Sequence, residues 1–397
     1  MPPEKPAKAW HVHPDILKLG LVSFLTDISS EMIFSIFAIF FTTVAGASAA
    51  LLGMVEGFSD LAASSLNYVA GWLSDRSGKR KAFALAGYGF STLAKAILLI
   101  STSVTGLAVF RVIERLGKSF RGAPRDAWLS AVAHEDTRGY AFGVHKALDK
   151  SGAVLGPLVA YWLLSWLGDG AATYRLLFWV ALVPAVLSIV VLGLVEDQPG
   201  VPHERENMFE TWGTLSPEFK RYLIPAGIFS LAYFSFSFLL LRAKSVGFAV
   251  KDIVLLYALF NIACVVSAPM MGWLGDRIGR ATMITLNYTI YGLMCVGFIF
   301  ATTQAELVSL FILYGIFYAI DEAQNKAFIA DLEKDRRASA IGLYGFVTGL
   351  IYLPASLLAG ALWLLQPGAA FGLAAGIALL AMGVFVILKP GANKISV

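Results

Sequence analysis

GWLSDRSGKR, residues 71–80, is a charged stretch with spaced glycines that lies between two long apolar runs. A nearly identical stretch, GWLGDRIGR, occupies residues 272–280 in the second half of the chain. A second pair of segments repeats at a similar spacing, with AVAHEDTRGYAFG at 131–143 and ADLEKDRRASAIG at 330–342. Two motifs that recur together indicate a chain built from two related halves.

The composition indicates a protein whose solvent is a lipid bilayer. Of 397 residues, 57% are hydrophobic and only 15% are charged, whereas soluble domains carry about 25% charged residues. A bilayer-spanning helix needs about 20 apolar residues, and continuous apolar runs argue against the alternating pattern of a membrane β-barrel. We therefore predict an all-α integral membrane protein with about twelve transmembrane helices. The predicted spans are 16–45, 49–72, 82–102, 105–132, 139–167, 173–195, 222–245, 252–273, 281–302, 305–330, 338–365 and 369–388.

The loops divide these spans into two groups of six and orient them. Lys and Arg collect in loops such as 76–81, 277–280 and 334–337, and the positive-inside rule places such loops, and by parity both termini, in the cytoplasm. The predicted organisation is a cytoplasmic N-terminal tail (1–15), an N-terminal six-helix bundle (16–195), a cytoplasmic linker (196–221), a C-terminal six-helix bundle (222–388) and a cytoplasmic C-terminal tail (389–397).

The repeated charged stretch resembles the signature loop of the major facilitator superfamily, and the resemblance covers essentially the whole chain. It implies two pseudo-symmetric six-helix bundles that transport a solute by alternating access, with one cytoplasmic latch in each half. Glycines there permit a tight turn, and Asp75 is placed to meet a basic partner or a helix end. The latch residues are Gly71, Asp75, Arg76, Gly78, Lys79 and Arg80 in the first copy, and Gly272, Asp276, Arg277, Gly279 and Arg280 in the second.

The fifth predicted helix carries a second pattern, which is similar to the motif of exporters and antiporters in this superfamily. Gly143, Gly152, Gly156 and Pro157 have the motif's spacing, although Ala160 and Tyr161 replace its closing glycine pair. Small residues at this spacing would thin the helix against a neighbour. In the fourth helix Arg111 matches the family's membrane arginine, but Glu114 and Arg115 stand where a glutamine and a glycine are usual, unlike a standard lipophilic-drug pump.

Many charges fall inside the predicted spans, where each costs about 2.5–3.5 kcal/mol on insertion scales and usually faces a partner or a cavity. Asp27 and Glu31 share one face of the first helix, and the fourth helix is strongly basic. One interpretation is an internal network of salt bridges, with Arg115, Lys118, Arg121 and Lys150 near a membrane edge and Lys95 snorkelling. In the family, helices 1, 4, 7 and 10 line the cavity, which makes Asp27, Glu31, Arg111, Arg125, Tyr233, Asp321 and Glu322 candidates for substrate contact. Lys146 of the fifth helix is a further candidate.

These features favour a secondary transporter rather than an enzyme: a proton-coupled exporter of a polar solute such as a metabolite, a siderophore or a hydrophilic drug. The candidate proton carriers are Asp27, Glu31, Asp149 and Asp321. The alternative is an exporter of divalent metal ions that uses Asp27, Glu31 and His145, although no ligand-spaced cluster marks a metal site. We expect no cofactor beyond the proton gradient and no nucleic-acid partner, and we expect a monomer in the bacterial inner membrane.

Overall fold

The computed structural model describes residues 13–132, 138–197, 212–333 and 337–391. Within these ranges the side chains of residues 68, 75, 130, 138–142, 276 and 337–339 are not described. The described chain is helical and contains no strand. Its helices are α1 (Pro14–Ile39, extended by a π-helical turn, Phe40–Val44), α2 (Ala49–Ser77), α3 (Arg80–Ile100), α4 (Val104–Val132), α5 (Arg138–Leu167), α6 (Ala171–Gly193), α7 (Pro217–Ala232), α8 (Ser237–Ser245), α9 (Val250–Ile278), α10 (Arg280–Phe300), α11 (Gln304–Leu332), α12 (Arg337–Leu365) and α13 (Pro367–Leu388).

The helices confirm the predicted all-α membrane architecture. Among the described residues, nine helical spans are long and apolar enough to cross a membrane, and one of these spans contains both α7 and α8. The other three long helices, α2, α4 and α5, contain half of the charged residues of positions 1–195, which lowers their hydropathy. Counted with them, the described chain has the twelve crossings expected from the sequence.

The seventh predicted span, residues 222–245, is wrong as a single helix. The helix ends at Ala232, Tyr233 has an extended backbone (φ −87°, ψ 94°), and α8 starts at Ser237. No glycine or proline marks this break in the sequence, and the continuous apolar run predicted one helix. The break exposes backbone groups that must find partners in a membrane, and the hydroxyl of Tyr291 donates a hydrogen bond to the Ala232 carbonyl at 2.8 Å. This segment also begins earlier than expected, because Ser216 caps its first turn and Pro217 suits the first helical position.

The two bundles meet on the side away from the basic loops. A large apolar core joins outer residues of the first bundle, such as Ile36, Leu52 and Phe110, to residues of the second bundle. A smaller core near the basic loops contains Tyr88 and Trp128, and its described members all come from the first bundle. Between the bundles, α2 packs against α12 and α5 packs against α9. The structure is therefore closed on the side that the positive-inside rule assigns to the exterior.

Candidate functional site

Both copies of the repeated motif turn at a glycine with positive φ. Gly78 ends α2 with φ 68°, and Gly279 separates α9 from α10 with φ 89°. Positive φ is strained for a residue with a Cβ, so glycine is required at both turns. Before these turns, the guanidinium of Arg76 lies 5.2 Å from the ring centre of Trp72, and that of Arg277 lies 4.0 Å from the ring of Trp273.

The remaining latch candidates lie around these turns. Arg80 begins α3 and Arg280 begins α10, where the Arg280 side chain forms an ion pair with Asp331 at 2.8 Å. A Cβ added at Gly71 would lie 3.2 Å from the Cβ of Ala123 in α4, whereas nothing lies near Gly272. Lys79 is exposed. The side chains of Asp75 and Asp276 lie outside the described part of the chain, so the latch stays a prediction.

Two glycines of the exporter-like motif allow α5 to touch the backbone of α1. A Cβ added at Gly152 would contact the Phe24 carbonyl oxygen and lie 3.1 Å from the Cβ of Asp27. A Cβ added at Gly156 would lie 2.5 Å from the Ile28 carbonyl oxygen. Gly143 has open space around it, and Pro157 lies inside the helix. The motif thus thins α5 where it covers the face of α1 that carries Asp27.

Arg111 forms a buried ion pair with Glu56. Its Nε and Nη2 donate to the two carboxylate oxygens of Glu56 in α2, at 3.0 and 2.6 Å, and both side chains are buried. The guanidinium also lies 4.4 Å from the ring centre of Phe34. Across the bundle interface, the Ser237 hydroxyl at the start of α8 donates to Glu56 Oε1 at 3.1 Å. This cluster therefore joins the bundles on the closed side, and contact between Arg111 and substrate stays a prediction.

The structure contradicts the expectation that Lys95 and Arg121 snorkel toward a membrane edge. Lys95 is fully buried in α3 and donates to the Ser30 hydroxyl at 3.0 Å, while Ser30 donates to the buried carboxylate of Glu114 at 3.3 Å. Arg121 is also buried, and it donates to the Ser91 hydroxyl at 2.6 Å. These residues form a polar core between α1, α3 and α4, because buried charges require partners. The sequence around Lys95 is apolar and gave no indication of its partner.

Glu31 connects the two bundles near the cavity. The Tyr257 hydroxyl, in α9, donates a short hydrogen bond to Glu31 Oε2. On the same bundle as Glu31, the ammonium of Lys118 lies 3.8 Å from Oε1. A similar pair, Arg115 with Asp60 at 2.7 Å, lies between α4 and α2 and remains partly exposed. Each of these carboxylates has a cation beside it.

Asp149 is held by two cations. Arg125 Nη1 lies 3.9 Å from Oδ1 and Lys146 Nζ lies 3.5 Å from Oδ2. Arg125 also binds Asp126 through two hydrogen bonds and donates to the Ser23 hydroxyl. Lys146 reaches across to Glu322 of the second bundle at 3.4 Å, and Lys326 lies 3.8 Å from the same carboxylate. Asp149 and Glu322 are therefore both neutralised by neighbouring cations.

Two buried carboxylates of the first bundle form no ion pair within the described chain. Glu114 accepts a hydrogen bond from Ser30, whereas Asp27, which is only 7% exposed, has neither a hydrogen-bond donor nor an ion-pair partner. Asp149, Glu31, Lys118 and Arg121 act on it electrostatically from beyond contact distance. An unpaired buried carboxylate is costly as an anion but not as a neutral acid, which makes Asp27 a site where a proton can be held.

Asp321 in α11 is a partly exposed carboxylate of the second bundle. Its Oδ1 accepts hydrogen bonds from the side-chain amides of Asn287 at 2.9 Å and Asn325 at 2.8 Å. No Lys or Arg of the described chain forms an ion pair with Asp321.

The predicted cavity residue Tyr233 packs among other aromatic side chains of this bundle. Its ring centre lies 5.5 Å from that of Tyr352, and its hydroxyl accepts a hydrogen bond from the Tyr314 hydroxyl.

The metal alternative gains no support from this geometry. In the ranges that the structure describes, no group of three or more His, Cys, Asp or Glu side chains is placed to hold an ion. His145 is buried, and its Nε2 lies 3.0 Å from the Ser23 hydroxyl oxygen. It is therefore part of the hydrogen-bonded core beside Arg125 rather than a ligand next to Asp27 or Glu31.

Comparisons of the sequence and of the fold with known proteins agree on one family of transporters. A family profile described as Major Facilitator Superfamily matches residues 19–318 and 226–396. The uncharacterized MFS-type transporter MJ1317 of Methanocaldococcus jannaschii is 35% identical over 364 residues, 90% of each chain. The multidrug resistance protein MdtH of Photorhabdus laumondii is 27% identical over 158 residues, 37% of this chain and 39% of that protein. Among solved structures, the nucleoside transporter NupG superposes with a TM-score of 0.76 at 14% identity, covering 94% of this chain and 99% of that one.

Proposed function

The chain belongs to the major facilitator superfamily, and we propose that this multi-pass membrane transporter is a proton-coupled exporter of a polar small molecule. The proton gradient supplies the energy, and the two bundles alternate around a central site. Three parts of the proposal go beyond family membership: the proton, the polarity of the solute and the direction of transport.

The proposal of proton coupling rests on Asp27. In the first bundle, Glu31, Glu56, Asp60 and Asp149 each lie beside a cation, whereas Asp27 is buried without one. A paired carboxylate gains from staying ionised, but an unpaired one can alternate between a neutral buried state and an ionised state exposed to water. Asp27 also lies where α5 presses against α1 through Gly152, so a movement between these helices would change its surroundings.

The polarity of the solute is inferred from the residues around the interface of the bundles. Lys118, Lys146 and Lys150 of the first bundle are partly exposed toward the second. Opposite them, Glu322 and Asp321 lie on α11 among tyrosines. Charged and hydroxyl-bearing walls favour a solute that can form hydrogen bonds, since an apolar solute would leave these groups unsatisfied.

The direction of transport is supported by weaker observations. The glycines of α5 match the exporter-like spacing, and two of them make the close contacts with α1 that such a motif requires. The partial relative MdtH is named as a multidrug resistance protein, a function that export would explain. Together these observations favour movement of solute out of the cytoplasm.

Transport into everted membrane vesicles tests the proposal, because these vesicles present the cytoplasmic face and export appears as uptake. Labelled amines, nucleosides and dipeptides would be offered with and without an inward-acid pH gradient. We expect gradient-driven accumulation of at least one solute, abolished by a protonophore. The Asp27→Asn variant should still exchange that solute across the membrane but should not accumulate it, whereas Asp169→Asn, at an exposed loop position, should behave as the native protein. Gradient-driven accumulation by Asp27→Asn would contradict the proposal.

A further inference from the structure

Asp321 and Glu322 are adjacent carboxylates within α11, and of the two only Glu322 forms ion pairs with described residues. Two cations of this region, Lys146 and Lys326, instead lie 3.4 and 3.8 Å from the neighbouring Glu322. The amide groups of Asn287 and Asn325 both bind Oδ1. Within the described chain, Oδ2 therefore has no donor. Asp321 is partly exposed, so this half of the carboxylate and its charge are accessible to a ligand.

The buried surroundings of Asp321 include a second acceptor without a donor. Asn287 is only 2% exposed, and while its Nδ2 serves Asp321, its carbonyl Oδ1 has no hydrogen-bond partner in the described chain. The other amide, Asn325, is fixed because the Tyr222 hydroxyl donates to its Oδ1 at 2.6 Å. Unpaired buried acceptors are costly, and at this cluster they are in excess over donors.

Aromatic side chains form the surroundings of this cluster. Six tyrosines lie within electrostatic range of Asp321, namely Tyr222, Tyr233, Tyr288, Tyr314, Tyr344 and Tyr352. Their rings pack on one another, as in the pair Tyr222 and Tyr344, whose centres lie 6.0 Å apart. Aromatic faces attract cations through the ring quadrupole, and more strongly where water is excluded. A carboxylate with an aromatic wall is thus suited to an organic cation.

We propose that the solute of this transporter carries a protonated amine, and that this ammonium group binds to Asp321 among the tyrosines. An ammonium supplies the N–H donors that Oδ2 lacks and neutralises the charge. A carboxylate or phosphate at this position would be repelled by Asp321 and Glu322, and a neutral solute would leave the anion without a counter-ion. This inference rests on the proposed transport function, and it gives the two unpaired carboxylates separate roles: Asp27 for the proton and Asp321 for the solute.

Binding of three matched probes to the purified protein tests the inference without any gradient. Tyramine is an aromatic primary amine, tyrosol replaces its ammonium with a neutral hydroxyl, and 4-hydroxyphenylacetate replaces it with an anion. We expect tyramine to bind at least tenfold more tightly than tyrosol, and the anion not to bind. Asp321→Asn should remove the preference, Asp321→Glu should retain part of it, and Asp169→Asn should leave it unchanged.

The outcomes separate this inference from the proposed function. Equal affinity for tyramine and tyrosol, no binding of tyramine, or an unchanged preference in a folded Asp321→Asn protein would each overturn the amine assignment. A thermal unfolding curve of Asp321→Asn like that of the native protein shows that the variant is folded. Since the assay is at equilibrium, selective binding without pH-driven transport would refute proton coupling and leave the amine site standing. Proton-driven transport of solutes without an amine would refute the amine site and leave proton coupling standing.

Discussion

Arg111 in α4 and Glu56 in α2 form a buried ion pair through two hydrogen bonds of 3.0 and 2.6 Å, and the second bundle contacts this pair through the hydroxyl of Ser237. The pair belongs to the first bundle, but its third partner lies at the start of α8, just after the break in the seventh span. A structural ion pair of one bundle is thus also part of the contact that closes the outer side.

Removing one member of this pair should destabilise the protein strongly. We expect Glu56→Gln or Arg111→Gln alone to lower the free energy of unfolding by about 3–5 kcal/mol, because each leaves an uncompensated buried charge. The double variant should be more stable than either single variant. Denaturant unfolding of the four proteins in one detergent checks this double-mutant cycle. Additive single effects would show that the two side chains do not interact.

The glycines of α5 provide a prediction with an internal control. A methyl group at Gly152 would contact the Phe24 carbonyl oxygen in the backbone of α1, so Gly152→Ala should lower stability by about 1–3 kcal/mol. Gly143→Ala should be neutral or stabilising, because a methyl group there would meet nothing within 4 Å and alanine favours the helix by about 1 kcal/mol. Thermal unfolding of both variants tests this difference. The same loss of stability at the two positions would refute the close packing of α5 on α1.

The hydroxyl of Tyr257 should help to hold the outer side closed. Tyr257→Phe removes the hydrogen bond to Glu31 between α9 and α1, which is worth about 1 kcal/mol, or roughly a fivefold change in the ratio of closed to open states. Spin labels at positions 169 and 366, in exposed loops of the two bundles on this side, should show more long distances. Tyr161→Phe is the control, since the Tyr161 hydroxyl makes no hydrogen bond with a described residue. Identical distance distributions in Tyr257→Phe and the native protein would contradict this role.

The sequence predicted the architecture well, because its signals are local. Apolar length gave the twelve crossings, and the glycine spacing of the repeated motif corresponds to positive-φ turns at Gly78 and Gly279. The break after Ala232 was not predictable, because it depends on a donor, Tyr291, that comes from α10.

The candidate site was harder to predict than the fold. The sequence correctly marked Asp27, Glu31 and Asp149 as membrane carboxylates, but it could not tell which of them lacks a cation. That distinction depends on pairs such as Lys118 with Glu31, which join residues distant in sequence. The same limit explains the error at Lys95 and the unforeseen ion pair of Arg111, because the partners Ser30 and Glu56 lie on other helices. Patterns along one helix give the position of a charge but not its neighbour.

The proton on Asp27 can be observed directly by infrared difference spectroscopy during a pH titration of the purified protein. A protonated carboxylic acid has a C=O stretching band that the carboxylate lacks. We predict that one such band of a buried acid appears as the pH falls, and that it is absent in Asp27→Asn and present in Asp169→Asn. A titrating band that persists unchanged in Asp27→Asn would contradict the account and would assign the proton to another carboxylate.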